Sequence, residues 1–255
     1  MLFLLSSLIL FLTNPPYLDD RLKLLVNKPT VQNVVISPTK PWESWAVLSY
    51  NSVLEVDGEY RLYYDCIEGA GVPPGEELFV ATSHRRICFA NSKDGIHWQK
   101  PSLGIYVWKN STDNNILVED SGVSVFRDND GWKMITSYYA YSSIDGINFS
   151  RMCQNKSTRQ IDDTKPTASW VLSKDGQSVY VIYVRRDVGK SYDREIARCV
   201  TTDLCHWDRN CTRILHTDSQ DPPNLDVYTN SYMNYFGNHM LFPSMYYHFG
   251  PKTPY

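Results

Sequence analysis

The sequence predicts an all-β fold of the β-propeller type. Three observations predict it: strand-like hydrophobic alternation along most of the chain, hairpin turns at regular intervals, and a short motif that repeats. Ser92-Lys93-Asp94-Gly95-Ile96-His97-Trp98 returns as Ser143-Ile144-Asp145-Gly146-Ile147-Asn148-Phe149, and again as Thr202-Asp203-Leu204-Cys205-His206-Trp207. The aspartates are about 50 to 60 residues apart, the period of a four-stranded propeller blade. The motif has the chemistry of a tight turn. Its Asp can cap backbone N–H groups, its Gly takes a positive φ, and its closing aromatic packs between sheets.

The elements follow in order. Ala46 to Val56, Asp57-Gly58 and Tyr60 to Asp65 read as a hairpin with a two-residue turn. Gly122 to Phe126, the turn around Asn129-Asp130-Gly131, and Trp132 to Tyr139 form the second hairpin. Ala168 to Leu172, Asp175-Gly176 and Val179 to Val184 form the third; Val227 to Tyr235, Gly237-Asn238 and Met240 to Tyr247 form the fourth. A short apolar or aromatic strand leads into each repeated motif: Ile87 to Ala90, Ser137 to Tyr141, and Ile196 to Val200. No 11-residue window after Leu25 carries a helical stripe. The unit is hairpin, third strand, turn motif, fourth strand, which is one blade. Three units are complete and the fourth stops after its hairpin. Closure takes roughly four to eight blades, so a truncated array of about four is expected. A β-sandwich also shows short strands at regular spacing, but a turn motif at blade period argues against it.

Composition bounds the partners. With 25 Lys+Arg against 28 Asp+Glu and no basic run, the chain has no electrostatic footprint for nucleic acid. No apolar stretch reaches the roughly 18–20 residues of a membrane span. Leu2 to Leu12 is an apolar run broken by Thr13-Asn14-Pro15-Pro16, matching a secretory signal peptide over 1–16; residues 17–255 are then the propeller domain. Sequons at Asn110, Asn148, Asn155 and Asn210 point to surface glycosylation and a secreted, extracellular protein. The six cysteines lack C-x-x-C spacing, so disulfides are expected and zinc is not. Cys66–Cys88 and a pairing of Cys199 with Cys211 around the turn at Cys205 are two of several possible connectivities. We expect a monomer.

Several motifs then form an ordered series: Tyr17-Leu18-Asp19-Asp20, Lys40-Pro41-Trp42-Glu43, Tyr60-Arg61-Leu62-Tyr63-Tyr64, Ser92 to Pro101, Asn114-Asn115-Ile116, and Asp226-Val227-Tyr228-Thr229. The series resembles secreted proteins similar to the N-terminal domain of glycoside hydrolase family 32. These belong to the five-bladed propeller superfamily of invertases, levansucrases and arabinanases. The resemblance covers most of residues 17–249. It implies a five-bladed propeller, with at least one blade missing here, and glycosidase action on, or binding to, furanosides or related carbohydrates.

Glycoside hydrolysis ordinarily needs two carboxyl groups across the scissile bond. The invertase relatives carry their nucleophile in an Asn-Asp-Pro-Asn-Gly run. The matching stretch here is Ser49-Tyr50-Asn51-Ser52, with Ser49 at the Asp position. Arg127-Asp128 resembles the relatives' Arg-Asp-Pro motif but falls in a hairpin turn, and a Glu-Cys-Pro motif is absent. Another set of acids is better placed. Glu43, Asp120, Asp163 and Asp226 each precede an innermost strand, and Asp120 and Asp226 both lie 11 residues before their hairpin glycines. In a propeller these carboxylates would converge, as Asp120 or Glu43 against Asp163 or Asp226, and crowding would split their pKa values. The same ring of oxygens could instead hold Ca²⁺; no other cofactor is expected. Trp42 and Trp45 flank Glu43 and could stack on a sugar ring. Strand alternation sends one of Arg185 and Arg186 toward the core, where it must be paired. Tyr228 lies at a pocket or packing position, as does the cluster Tyr246-Tyr247-His248, while His97 and His206 belong to the repeated turn. A carbohydrate-binding propeller without catalysis, and an extracellular interaction module, are the alternatives to a hydrolase.

Overall fold

The computed structural model describes residues 34–69, 84–154, 166–173, 175–188, 193–207, 211–235 and 238–248. The expected signal peptide, Asp163, Asn155, Asn210 and Gly237 lie outside them. Among the described residues every regular element is a strand, apart from a 3₁₀ turn at Pro41–Glu43. The first sheet runs β1 (Ala46–Val56), β2 (Glu59–Glu68), β3 (His84–Ser92), β4 (Ile116–Val118). The second is β5 (Ser124–Asp128), β6 (Gly131–Ile135), β7 (Tyr139–Ser143), β8 (Ser150–Gln154). The third is β9 (Thr167–Leu172), β10 (Ser178–Val188), β11 (Asp193–Thr201), β12 (Thr212–Leu215), and the fourth is the hairpin β13 (Leu225–Tyr235), β14 (Asn238–Tyr247). Each is an antiparallel meander in chain order. The expected strand from Trp132 to Tyr139 stops early. Thr136 N donates to Tyr139 O, and Tyr139 N donates to the Thr136 hydroxyl, which closes a tight turn between β6 and β7.

Consecutive sheets pack face to face. Tyr63, Ile87 and Phe89 of the first meet Val125, Trp132, Met134 and Tyr141 of the second. Phe126, Ile135 and Ala140 meet Ala168, Ile182, Val184 and Ala197 of the third. Val181, Tyr183 and Ile196 of the third then meet Val227 and Leu241 of the fourth. The first sheet's other face, with Leu62, Tyr64, Cys66, Cys88 and Ile116, is covered by Trp42 and, more loosely, by Ile36, Trp98, Tyr106 and Trp108, which belong to no sheet.

The first strands of the sheets are linked side by side. Val125 N on β5 donates to Ser52 Oγ on β1, and Ala168 N on β9 donates to Ser124 Oγ on β5. Asn230 Nδ2 on β13 donates to Thr167 Oγ1 on β9, and the Tyr50 hydroxyl of β1 meets the Tyr228 hydroxyl of β13 at 2.9 Å. These contacts link the first strands of consecutive sheets, β1 to β5, β5 to β9 and β9 to β13, and join β13 to β1 through the two tyrosines.

The repeated motif folds as its residues require. Ser92 Oγ accepts the N–H groups of Asp94 and Gly95, and Asp94 Oδ1 accepts those of Ile96 and His97. Ser143 and Asp145 repeat the pattern atom for atom, and Thr201 with Asp203 repeats part of it. Gly95 and Gly146 take φ values of 71° and 77°, which a side chain would strain. Trp207 and Phe149 then pack between sheets. Three disulfides, Cys66–Cys88, Cys153–Cys205 and Cys199–Cys211, use all six cysteines. The second ties β8 to the turn motif of the third sheet. Asn110 and Asn148 are both exposed.

Candidate functional site

The expected site residues occupy three places. Glu43, on the 3₁₀ turn, is fully buried. Its carboxylate accepts the N–H groups of Thr39 and Lys40, the Tyr64 hydroxyl at 2.6 Å, and an ion pair with Lys100 Nζ at 2.6 Å. Burial, and then the Glu43 charge, push the Tyr64 hydroxyl well above its ordinary pKa. Trp42 sits in the same layer, donating from Nε1 to Asn115 Oδ1 and packing edge-on to Trp108. Trp45 is half-buried, and its backbone N–H extends the sheet by donating to Ile67 O. This group lies on the face of the first sheet turned away from the second.

Asp120 lies on the opposite side. Its carboxylate accepts Ser121 N, the Thr136 hydroxyl at 2.5 Å and the Tyr141 hydroxyl at 3.0 Å, between the first and second sheets. Burial and the neighbouring Asp120 charge raise the Tyr141 pKa. Beside it, both oxygens of buried Asp65 accept Gly122 N, so an acid from β2 holds the loop that carries Asp120. Adjacent β2 residues point to opposite faces: Tyr64 reaches Glu43 and Asp65 reaches the Asp120 loop. The thickness of the first sheet therefore separates Glu43 from Asp120.

The third place is the leading end of the third and fourth sheets. Asp226 is fully buried and pairs with His248 Nε2 at 2.6 Å. Tyr228 stacks on Tyr246 with ring centroids 5.5 Å apart. The guanidinium of Arg185 lies 4.9 Å from the Tyr228 ring, and that of Arg194 lies 5.1 Å from Tyr228 and 5.2 Å from Tyr246. Arg185 is buried toward the fourth sheet. Arg186, next in the strand, turns the other way and pairs with Glu195. The Tyr50–Tyr228 contact joins this group to the first sheet.

Sequence reasoning missed Asp65, Arg194 and Tyr50. Asp65 carried a signal, since a carboxylate in the otherwise apolar stretch from Leu62 to Ile67 must find donors when the strand is buried. Arg194 sits opposite Asp187 across β10–β11, a pairing visible only once the register is known. Among the described residues no group of three or more His, Cys, Asp or Glu is arranged to hold a metal ion, and no helix is long and apolar enough to cross a membrane.

No protein-family model matches the sequence, and no curated protein matches it. Among solved structures, the chain is similar to β-1,2-mannobiose phosphorylase from Listeria innocua, at 14% identity and a TM-score of 0.49, over 76% of this chain and 68% of that one. It is similar to the GH32 β-fructofuranosidase of Bombyx mori at 11% identity and a TM-score of 0.47, over 76% of this chain and 42% of that one. It is also similar to a glycosyl hydrolase from Bacteroides ovatus at 17% identity and a TM-score of 0.44, over 88% of this chain and 67% of that one.

Proposed function

We propose that this chain is a glycan-acting protein of the propeller type, secreted, with its site at the leading ends of the sheets. One observation carries the reading. The first strands of four sheets are hydrogen-bonded in sequence order, and Tyr50 and Tyr228 bring the last back to the first. With the sheets read as blades, Asp120, Arg185, Asp226 and Tyr228 belong to one end of a common axis. The catalytic carboxylate is Asp120, which is buried beside hydroxyl donors and opposed by an acid from the Asp163 or Asp226 side. Glu43 and Trp42 are assigned to the stability of the first sheet rather than to substrate. Three disulfides and exposed sequons at Asn110 and Asn148 support the extracellular assignment.

The test is turnover by the full-length glycosylated protein on fructosides, arabinosides and β-mannosides. Asp120→Asn and Asp163→Asn are expected to lower kcat by roughly 10²- to 10⁴-fold while glycan binding persists. Absence of turnover by the unsubstituted protein on all three classes would remove catalysis. Carbohydrate binding alone is then the reading, favoured by the half-buried row of rings Tyr50, Tyr228 and Tyr246, which suits the apolar faces of sugars.

A further inference from the structure

We propose that His248 contacts the glycan directly, presenting Nδ1 to a sugar hydroxyl while Asp226 fixes the ring through Nε2. The inference rests on the glycan-acting reading and assigns a ligand-contacting role to a residue outside the four acids.

Asp226 and His248 form a dyad. Asp226 Oδ2 lies 2.6 Å from His248 Nε2, with the carboxylate fully buried and the imidazole 15% exposed. An ionised carboxylate only accepts, so the shared proton sits on Nε2. In that tautomer Nδ1 is the acceptor, at a position the dyad fixes. Among the described residues nothing hydrogen-bonds to that atom. The backbone is clamped as well: His248 N donates to Asn224 O at 2.9 Å, and Asn224 Nδ2 donates to His248 O at 3.0 Å. The ring meets Tyr246 edge-on at 4.8 Å.

The surroundings supply the rest of a sugar site. Tyr246 stacks on Tyr228, and the Tyr228 hydroxyl meets that of Tyr50, so the imidazole ends a half-buried row of rings and hydroxyls that crosses the axis. Ring faces suit the C–H faces of a sugar, and a pre-oriented acceptor suits its hydroxyls. The side chain is already ordered, so little freedom is lost on binding. The other Asp–His pairs among the described residues differ in kind. His97 and His206 each use Nδ1 to meet the Asp of their own exposed turn, three residues away. His248 instead meets a buried acid of β13, 22 residues away, and does so through Nε2.

The test uses the full-length chain with fructo-, arabino- and manno-oligosaccharides as probes in calorimetric titrations. His248→Gln keeps an amide donor for Asp226 but leaves no acceptor at the Nδ1 position. It is expected to weaken binding of whichever oligosaccharide the unsubstituted protein takes by roughly tenfold, with the melting temperature unchanged. As a measurement independent of substitution, diethyl pyrocarbonate should modify His248 in the free protein, read by mass spectrometry, and the bound oligosaccharide should protect it. Unaltered affinity in His248→Gln, or a His248 that resists the reagent without ligand, overturns the role of His248 alone. No binding of any of the three probes by the unsubstituted protein overturns the glycan reading and the inference with it.

Discussion

Lys100 and Glu43 form an ion pair almost wholly removed from water, with side chains 8% and 0% exposed. The Lys100 ammonium also donates to Ser37 O and Thr39 Oγ1, so a single side chain ties the segment before the 3₁₀ turn to the loop after β3. Desolvating two charges is costly, and the pair persists because every oxygen and proton has a partner. Lys100→Met would strand the carboxylate. It is expected to lower the unfolding free energy by about 3–5 kcal/mol in urea titrations, with Lys100→Met/Glu43→Gln recovering part of the loss. A double-variant cost equal to the sum of the Lys100→Met and Glu43→Gln costs would show that the pair is not coupled. Position before a hairpin marks Glu43 as an acid at the leading end. It does not reveal the face, which depends on whether the preceding segment folds over or under β2.

At the scale of the element, the repeated turn is the best-determined unit of the chain. Asp145 is held below its ordinary value of 3.8: burial opposes ionisation, but the Asn148 side chain and the N–H groups of Asn148 and Ile147 outweigh it. Asp94 is lowered by His97, through its side chain and backbone, and by Ile96 N–H; Asp203 is lowered by Cys205 N–H and by His206. A carboxyl group whose folded pKa is depressed adds stability above its unfolded value and loses it as pH falls through the folded one. Acid should therefore weaken the fold through these turns as the pH falls below about 4, with little effect near neutrality. Asp145→Asn should cost stability at neutral pH, and its difference from the unsubstituted protein should shrink toward acid. A pH-independent difference in thermal unfolding would refute the assignment. The Ser-x-Asp-Gly pattern makes the turn legible, because all its partners lie within three residues of the aspartate.

At the scale of the molecule, the disulfides do unequal work. Cys66–Cys88 and Cys199–Cys211 staple chain within a sheet, whereas Cys153–Cys205 spans 52 residues and joins the second sheet to the third. Loop-closure entropy assigns about 4 kcal/mol to the long bridge and about 3 kcal/mol to Cys199–Cys211. Replacing Cys153 and Cys205 with Ala should thus lower the denaturation midpoint more than replacing Cys199 and Cys211. The reverse order would mean that strain or residual structure outweighs chain entropy. The short pairings are suggested by strand and turn positions. The long one needs the second and third sheets to be face to face.

The sequence by itself determined that the chain is built of strands, the hairpins at Gly58, Gly131 and Gly176, the turn motif and the alternation that separates Arg185 from Arg186. Each depends on residues close together in the chain, where a period of two and the φ preferences of Gly and Asp suffice. Only the tertiary structure decided which side chains meet. The β13–β14 hairpin shows why. Counted outward from Tyr235 opposite Asn238, Asp226 would face Tyr247, and His248 would point to the other side of the sheet. A bulge between Val227 and Thr229 shifts the register by one, so Tyr246 lies opposite Asp226 and His248 falls on the same face as the carboxylate. One extra residue in a strand reverses every side chain beyond it, and the packing of neighbouring sheets selects between the two outcomes.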